Sequence, residues 1–223
     1  GPRAGHLDGD TGIDKKIYDN LYKKFNPVKF DANEWARLFK KTGAKYIVFT
    51  TKHHDGFCMF DAPNTDYKIT NSPFKRDIAK ELSEACHKEG IRVMWYYSQP
   101  DWANPDCLDE KNHAKYLKYM YEQLSHLNSN YGKISGMWFD GLRTKWTDWK
   151  TPQMLKMIKT LQPGAIINSR AGRSLKVKGK IVEYDFDNAE LRFGKFQIDR
   201  PWEMCATMTE TWGWSGGKNI KPF

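Results

Sequence analysis

No stretch of the 223 residues strings together the roughly 20 apolar positions of a bilayer-spanning helix. The sequence therefore offers no candidate transmembrane segment. The four cysteines, Cys58, Cys86, Cys107 and Cys205, are widely spaced and form no C-x-x-C pair, which removes the usual zinc and dithiol frameworks and leaves single thiols. Low-complexity stretches and repeats of fixed period are missing too. A concentrated basic patch is also lacking. The formal charge is +9, but its densest cluster is "KVKGK" at 176–180, so a nucleic-acid partner is not favoured, while an anionic carbohydrate is compatible with the balance. The opening "GPRAGHLDGDTG" reads as neither signal peptide nor helix.

What is present in quantity is aromatic surface. Nine tryptophans are a heavy load of flat apolar faces, suited either to a large core or to packing on the C–H faces of sugars. One core fits a chain of this length, so a single domain, 1–223, is expected.

The chain also has a rhythm. Asp31 opens a helix that carries Ala32, Trp35, Ala36 and Phe39 at helical spacing, Gly43 stops it, and the apolar "KYIVFTT" follows. Asp77 opens the next, with Ile78, Leu82 and Cys86 on one face and Gly90 before "IRVMWYYS". A third helix uses Leu117, Met120, Tyr121, Leu124 and Leu127, and Gly132 precedes "ISGMWFDG". The fourth starts at Thr151 with Pro152 in its first turn, uses Leu155, Ile158 and Leu161, and ends before "AIINSR". Strand starts near 45, 91, 134 and 165 are thus expected, with "KIVEYDF" and "WEMCATM" as two further strands. Near-continuous apolar strands joined by crossover helices are parallel and buried on both faces. Of the two architectures that fit, a doubly wound sheet announces itself with a glycine-rich phosphate turn after its first strand, and none of these strands has one. A (β/α)8 TIM-like barrel is expected.

In such a barrel the carboxyl ends of all strands meet at one mouth. Here those ends read "KHHD", "YYS", "FDG", "NSR" and "DFDNAE". His53 and His54 are adjacent, so they point to opposite faces while a strand persists, which favours hydrogen bonding to a polar substrate over shared metal ligation. Asp140 follows an apolar strand and suits a nucleophile or electrostatic stabiliser, or a simple cap. Glu183, Glu190 and Glu203 compete as its proton-donating partner, and pattern alone does not rank them. Two carboxyl groups beside aromatic walls are what glycoside cleavage uses. Arg170 either holds a carboxylate or sugar hydroxyl, or makes a structural ion pair.

The segments "FNPVKFDANEWARLFKKTGAKYIVFTTKHHDGFCMFDAPNTDYKI", "KRDIAKELSEACHKEGIRVMWYYS", "YGKISGMWFDG" and "PWEMCATMTETWGW" resemble the α-L-fucosidases of glycoside hydrolase family 29, nearly end to end. The resemblance implies a retaining exo-hydrolase that removes terminal α-L-fucose from glycans through a covalent intermediate, without metal or organic cofactor. By position it implies Asp140 as nucleophile, His53, His54, Tyr96 and Arg170 as sugar contacts, and Trp138 and Trp212 as aromatic walls. "DFDNAE" matches a segment ending in the acid/base, which favours Glu190, with Glu203 of "PWEMC" as the alternative. The family's first-strand His-Trp pair, its last barrel elements and its C-terminal β-sandwich have no counterpart here, so the resemblance implies a barrel incomplete at both ends, an internal fragment of a longer enzyme. A fucose-binding pseudoenzyme or an inactive fragment is the competing reading. Family members act in the periplasm, outside cells or in lysosomes, and the same is expected of this chain.

Overall fold

The computed structural model describes residues 13–140, 149–172, 176–177, 180–181, 184–191, 201–207 and 212. The described elements run α1 (Lys15–Tyr18), α2 (Ala32–Lys41), β1 (Tyr46–Lys52), α3 (Ile78–Lys88), β2 (Arg92–Ser98), α4 (His113–Ser129), β3 (Gly136–Asp140), α5 (Thr151–Leu161), β4 (Ile166–Ile167), β5 (Lys176–Val177), β6 (Lys180–Ile181), β7 (Asp187–Glu190) and β8 (Trp202–Cys205). Short 3-10 turns at Leu21–Lys24 and Ile69–Asn71 interrupt the loops.

Strands β1 to β4 form one sheet in chain order, every pair parallel. Beyond β4, Asn168 bridges Phe186 in parallel, and Ser169 N–H donates to the Phe186 carbonyl at 2.9 Å. That bridge leads into β7 and β8, which are again parallel. Consecutive parallel strands with helical crossovers make this an α/β fold of the TIM-barrel type. The expected "KIVEYDF" strand does not run as one piece: Lys180–Ile181 pairs back on Lys176–Val177 as an antiparallel hairpin, and the barrel strand comes later, at Asp187–Glu190.

Local chemistry fixes the helices. The Asp31 carboxylate accepts from the N–H groups of Asn33 and Glu34 at the start of α2, and Asp77 accepts from Lys80 N–H at the start of α3. Gly43 and Gly90 take positive φ just past the two helix ends, which sends the chain into the following strands.

Alternation then sorts the strand side chains into two layers. Val93, Trp95, Tyr97, Met137 and Phe139 join the helices in the main core, with Ile47 and Phe49 packed against it. Met94, Trp138 and Phe186 form a second cluster on the inner face with Val48, Tyr96 and Cys205. Truncating a fully buried ring such as Phe139 to alanine removes about 3–5 kcal/mol of stability. Trp35, expected in the core, is 42% exposed, with Phe30 against its edge, whereas Ala32 and Ala36 are buried.

One irregularity matters for the site. Residues pair in step from Tyr46↔Arg92 to Thr50↔Tyr96, but the next pair is Lys52↔Tyr97, so β1 spends two residues against one of β2. Lys52, which strict alternation would turn inward with Val48 and Thr50, instead points into the helix layer.

Candidate functional site

The inner-facing strand ends converge as the barrel reading expects. Asp140 closes β3 and pairs in register with Ser98 at the end of β2. Its Oδ2 accepts a 2.7 Å hydrogen bond from the Tyr96 hydroxyl, and its Oδ1 meets the Arg170 guanidinium at 3.1 Å. The same guanidinium reaches Glu190 Oε2 at 2.9 Å through its other terminal nitrogen. One cation therefore joins two carboxylates that lie 50 positions apart in the chain.

Both histidines come to this cluster. The His53 ring stacks on Tyr96 (5.4 Å, 3°) and lies 4.3 Å from the His54 ring. The expectation that they diverge assumed a strand running on through them. The strand stops at Lys52, after the slip in register, and both rings turn to one side. His54 Nδ1 sits 2.5 Å from Ser98 Oγ, whose hydroxyl donates to the Pro100 carbonyl at 2.6 Å. With the serine proton committed, the imidazole must donate from Nδ1, which leaves Nε2 as a lone-pair acceptor, 3.7 Å from Asp140 Oδ2. Sequence reading missed Ser98. The signal available was its place two residues after Tyr96, on the same face of β2.

Electrostatics complete the cluster. Burial, reinforced by the neighbouring His53, pushes His54 down to about 4, and burial lowers His53 as well. At neutral pH both rings are uncharged. Burial works to raise the Asp140 carboxyl, but the Tyr96 hydroxyl, His54 once acid protonates it, and Arg170 together hold it below the usual carboxylate range. Burial, then the Asp140 charge, raises the Tyr96 phenol, so it stays a donor. The donors of His53, His54 and Asp140 lie within 4.8 Å of one another, near enough to share an ion. An ion there would compete with Arg170 and Tyr96 for the same carboxylate.

Trp138 is 4% exposed. One contact is Tyr96, stacked at 5.3 Å, and another is the Arg170 guanidinium, 4.9 Å from its ring centre. Its indole N–H donates to Glu203 Oε1 at 2.8 Å. Glu203 is paired in register with Asn188, while Glu190 is paired with Cys205, so Glu203 stands one inward-facing position below the level of Glu190. Trp212 is 57% exposed, and Glu183 lies outside the described residues.

Behind the site runs a buried ion pair that sequence reading did not anticipate. Lys52 Nζ meets Asp101 Oδ2 and the Tyr116 hydroxyl, each at 3.2 Å, and lies 4.5 Å from the Tyr97 ring centre. Asp101 Oδ1 accepts from Ala103 and Asn104 N–H, and Trp102 N–H donates to the His54 carbonyl at 2.7 Å. Gly56 has φ +83°, and a Cβ there would collide with the Asp101 carboxylate. The histidine turn is thus fastened from the helix side. A lysine closing the apolar run "YIVFTT" was the visible hint.

The chain that carries this cluster at the mouth of its parallel strands has relatives among known proteins. The profile of the family described as Alpha-L-fucosidase matches residues 10–222. The chain belongs to the alpha-L-fucosidase family. Human tissue alpha-L-fucosidase is 30% identical over 213 residues, covering 88% of this chain and 44% of the relative. Among solved structures, alpha-L-fucosidase isoenzyme 1 from Paenibacillus thiaminolyticus is 36% identical with a TM-score of 0.84, over 94% of this chain and 56% of that one. A family 29 alpha-L-fucosidase from Bacteroides thetaiotaomicron, trapped as a covalent intermediate with 2-fluoro-fucosyl fluoride, is 33% identical with a TM-score of 0.80, over 90% and 51%. The chain spans less than half the length of the curated relatives it matches. Among the described residues of this fucosidase family member, no helix is long and apolar enough to cross a membrane.

Proposed function

We propose that the protein carrying this chain is a retaining exo-glycosidase that releases terminal α-L-fucose from oligosaccharides or glycoconjugates, and that residues 1–223 belong to its catalytic barrel. The observation that carries the reading is the Asp140 carboxylate, ionised and aimed by Tyr96 and Arg170 at a mouth lined by His53 and His54. In the first step an Asp140 oxygen forms a bond to the anomeric carbon while the glycosidic bond breaks, and Glu190 gives its proton to the leaving oxygen. In the second, Glu190 takes a proton from water, whose oxygen displaces Asp140 and restores the original anomeric configuration. The Nε2 lone pair of His54 accepts from a sugar hydroxyl, and His53 and Trp212 supply further sugar contacts. So written, the reaction uses two carboxyl groups and water and calls on no metal or organic cofactor.

The trapped intermediate of the Bacteroides relative supports the covalent route. The +9 charge is compatible with neutral or sulfated glycans. Action in the periplasm, outside the cell or in lysosomes follows from the same reading, and cell fractionation checks it. The decisive experiment replaces Asp140 with glycine in the purified protein and follows aryl α-L-fucoside hydrolysis. Loss of roughly 10³-fold or more in kcat, with partial recovery and fucosyl azide formation on adding azide, is expected. Unmodified protein that binds fucose without turnover would make it a binding protein instead.

A further inference from the structure

The acid/base assignment leaves Glu203 without a task, yet few side chains here are better held. Its Oε1 accepts from Trp138 Nε1–H at 2.8 Å and from Asn188 Nδ2 at 3.3 Å, and its Oε2 accepts from the Tyr46 hydroxyl at 3.1 Å. These partners come from β3, β7 and β1, so the carboxylate ties three strands together across the inner face. Trp138 in turn carries both groups that grip Asp140: Tyr96 stacks on the indole, and the Arg170 guanidinium lies over its ring. A negative acceptor on the indole N–H draws electron density into the ring and strengthens its pull on the cation above.

We propose that Glu203 is a positioning residue, which fixes the Trp138 indole and through it the Tyr96 and Arg170 donors that aim Asp140. The inference rests on the fucosidase reading for its kinetic consequences, but not for its structural one. Burial and the Glu203 charge raise the Tyr46 phenol, so that donor persists throughout the working pH range. The groups facing Asp140 are His53 and His54 beyond β1, Tyr96 on β2, Arg170 beyond β4, with Glu190 on β7 and Cys205 on β8 close behind. Of these, Tyr96 and Arg170 rest on the indole, and both act to keep Asp140 ionised. A loosened indole therefore raises the pH at which the nucleophile takes up its proton.

Two substitutions separate positioning from proton donation. Glu203→Gln keeps an oxygen for the indole N–H, and Glu203→Leu does not. Expected for E203Q is kcat within about threefold of the parent, while E203L loses about 10- to 100-fold in kcat/KM. That loss is equal for aryl fucosides with good and poor leaving groups, and the acid limb of its pH profile moves upward. The indole ¹⁵N–¹H resonance of Trp138, assigned through W138F, moves only a little in E203Q, which keeps a weaker neutral acceptor, and much further in E203L. A loss in E203Q that grows with leaving-group basicity would show that Glu203 is the proton donor and overturn the proposal. So would an indole resonance unmoved in E203L. If the parent shows no turnover at all, the fucosidase reading fails, and the indole resonance still decides the positioning role.

Discussion

Replacing Lys52 with methionine removes the positive end of an ion pair sealed from water. The side chains of Lys52 and Asp101 are 0% and 1% exposed, and their charged atoms are 3.2 Å apart. Methionine keeps most of the stem volume, so packing against Tyr97 and Tyr116 survives and the electrostatic change dominates. Asp101 Oδ1 keeps its two backbone donors, Ala103 and Asn104, but Oδ2 faces no cation. Breaking a buried pair from one side costs about 3–5 kcal/mol, because the remaining charge stays buried. For a chain of this size that corresponds to a fall in Tm on the order of 10 °C. Urea unfolding of the purified protein, followed by tryptophan fluorescence, measures the loss directly. The double variant K52M/D101N removes the stranded charge and keeps an Oδ1 acceptor for Ala103 and Asn104, so it recovers at least half of the deficit. A K52M loss below about 1 kcal/mol, or a double variant no better than the single one, would refute the view that this pair fastens the turn.

The pH response has a defined sign: His54 and Asp140 both carry folded-state values below their unfolded ones, so each binds fewer protons when folded. Stability is therefore full above about pH 6.5 and declines as acid titrates first the His54 window, down to about 4, and then Asp140; H54Q flattens the upper part of this decline in melts taken across pH. Arg170→Lys keeps one positive charge but loses the fork that spans Asp140 and Glu190, so kcat/KM falls about 10- to 100-fold, with the acid limb moved upward. Gly56→Ala combines an unfavourable positive φ with a clash against Asp101 and destabilises by more than about 1 kcal/mol, measured by the same urea titration.

Much of the scaffold was legible because it rests on local signals. Aspartate caps at Asp31 and Asp77, glycine stops at Gly43 and Gly90, and apolar runs expected to start near 45, 91, 134 and 165, one or two residues ahead of the observed strands, are all written within short windows. The convergence of Asp140, Tyr96, Arg170 and the histidines follows once a parallel barrel is granted. What stayed hidden depends on partners remote in the chain. The facing of His53 is set by a slip against β2, the Lys52 pair needs Asp101 from beyond the next strand, and Glu203 is held by Tyr46, 157 positions away. "KIVEYDF" misled for a related reason: its apolar pattern suits a hairpin partner as well as a barrel neighbour, and only the surrounding sheet chooses.

The extra residue in β1 has a consequence for how this pocket can evolve. Its polarity is set by counting as much as by composition. Were Thr51 kept but the ladder run even, with Thr51 opposite Tyr97 and Lys52 opposite Ser98, the ammonium of Lys52 would swing to the sugar side and one imidazole would be lost to the far side, with no amino acid exchanged. The strand is thus freer to exchange its amino acids than its register against β2.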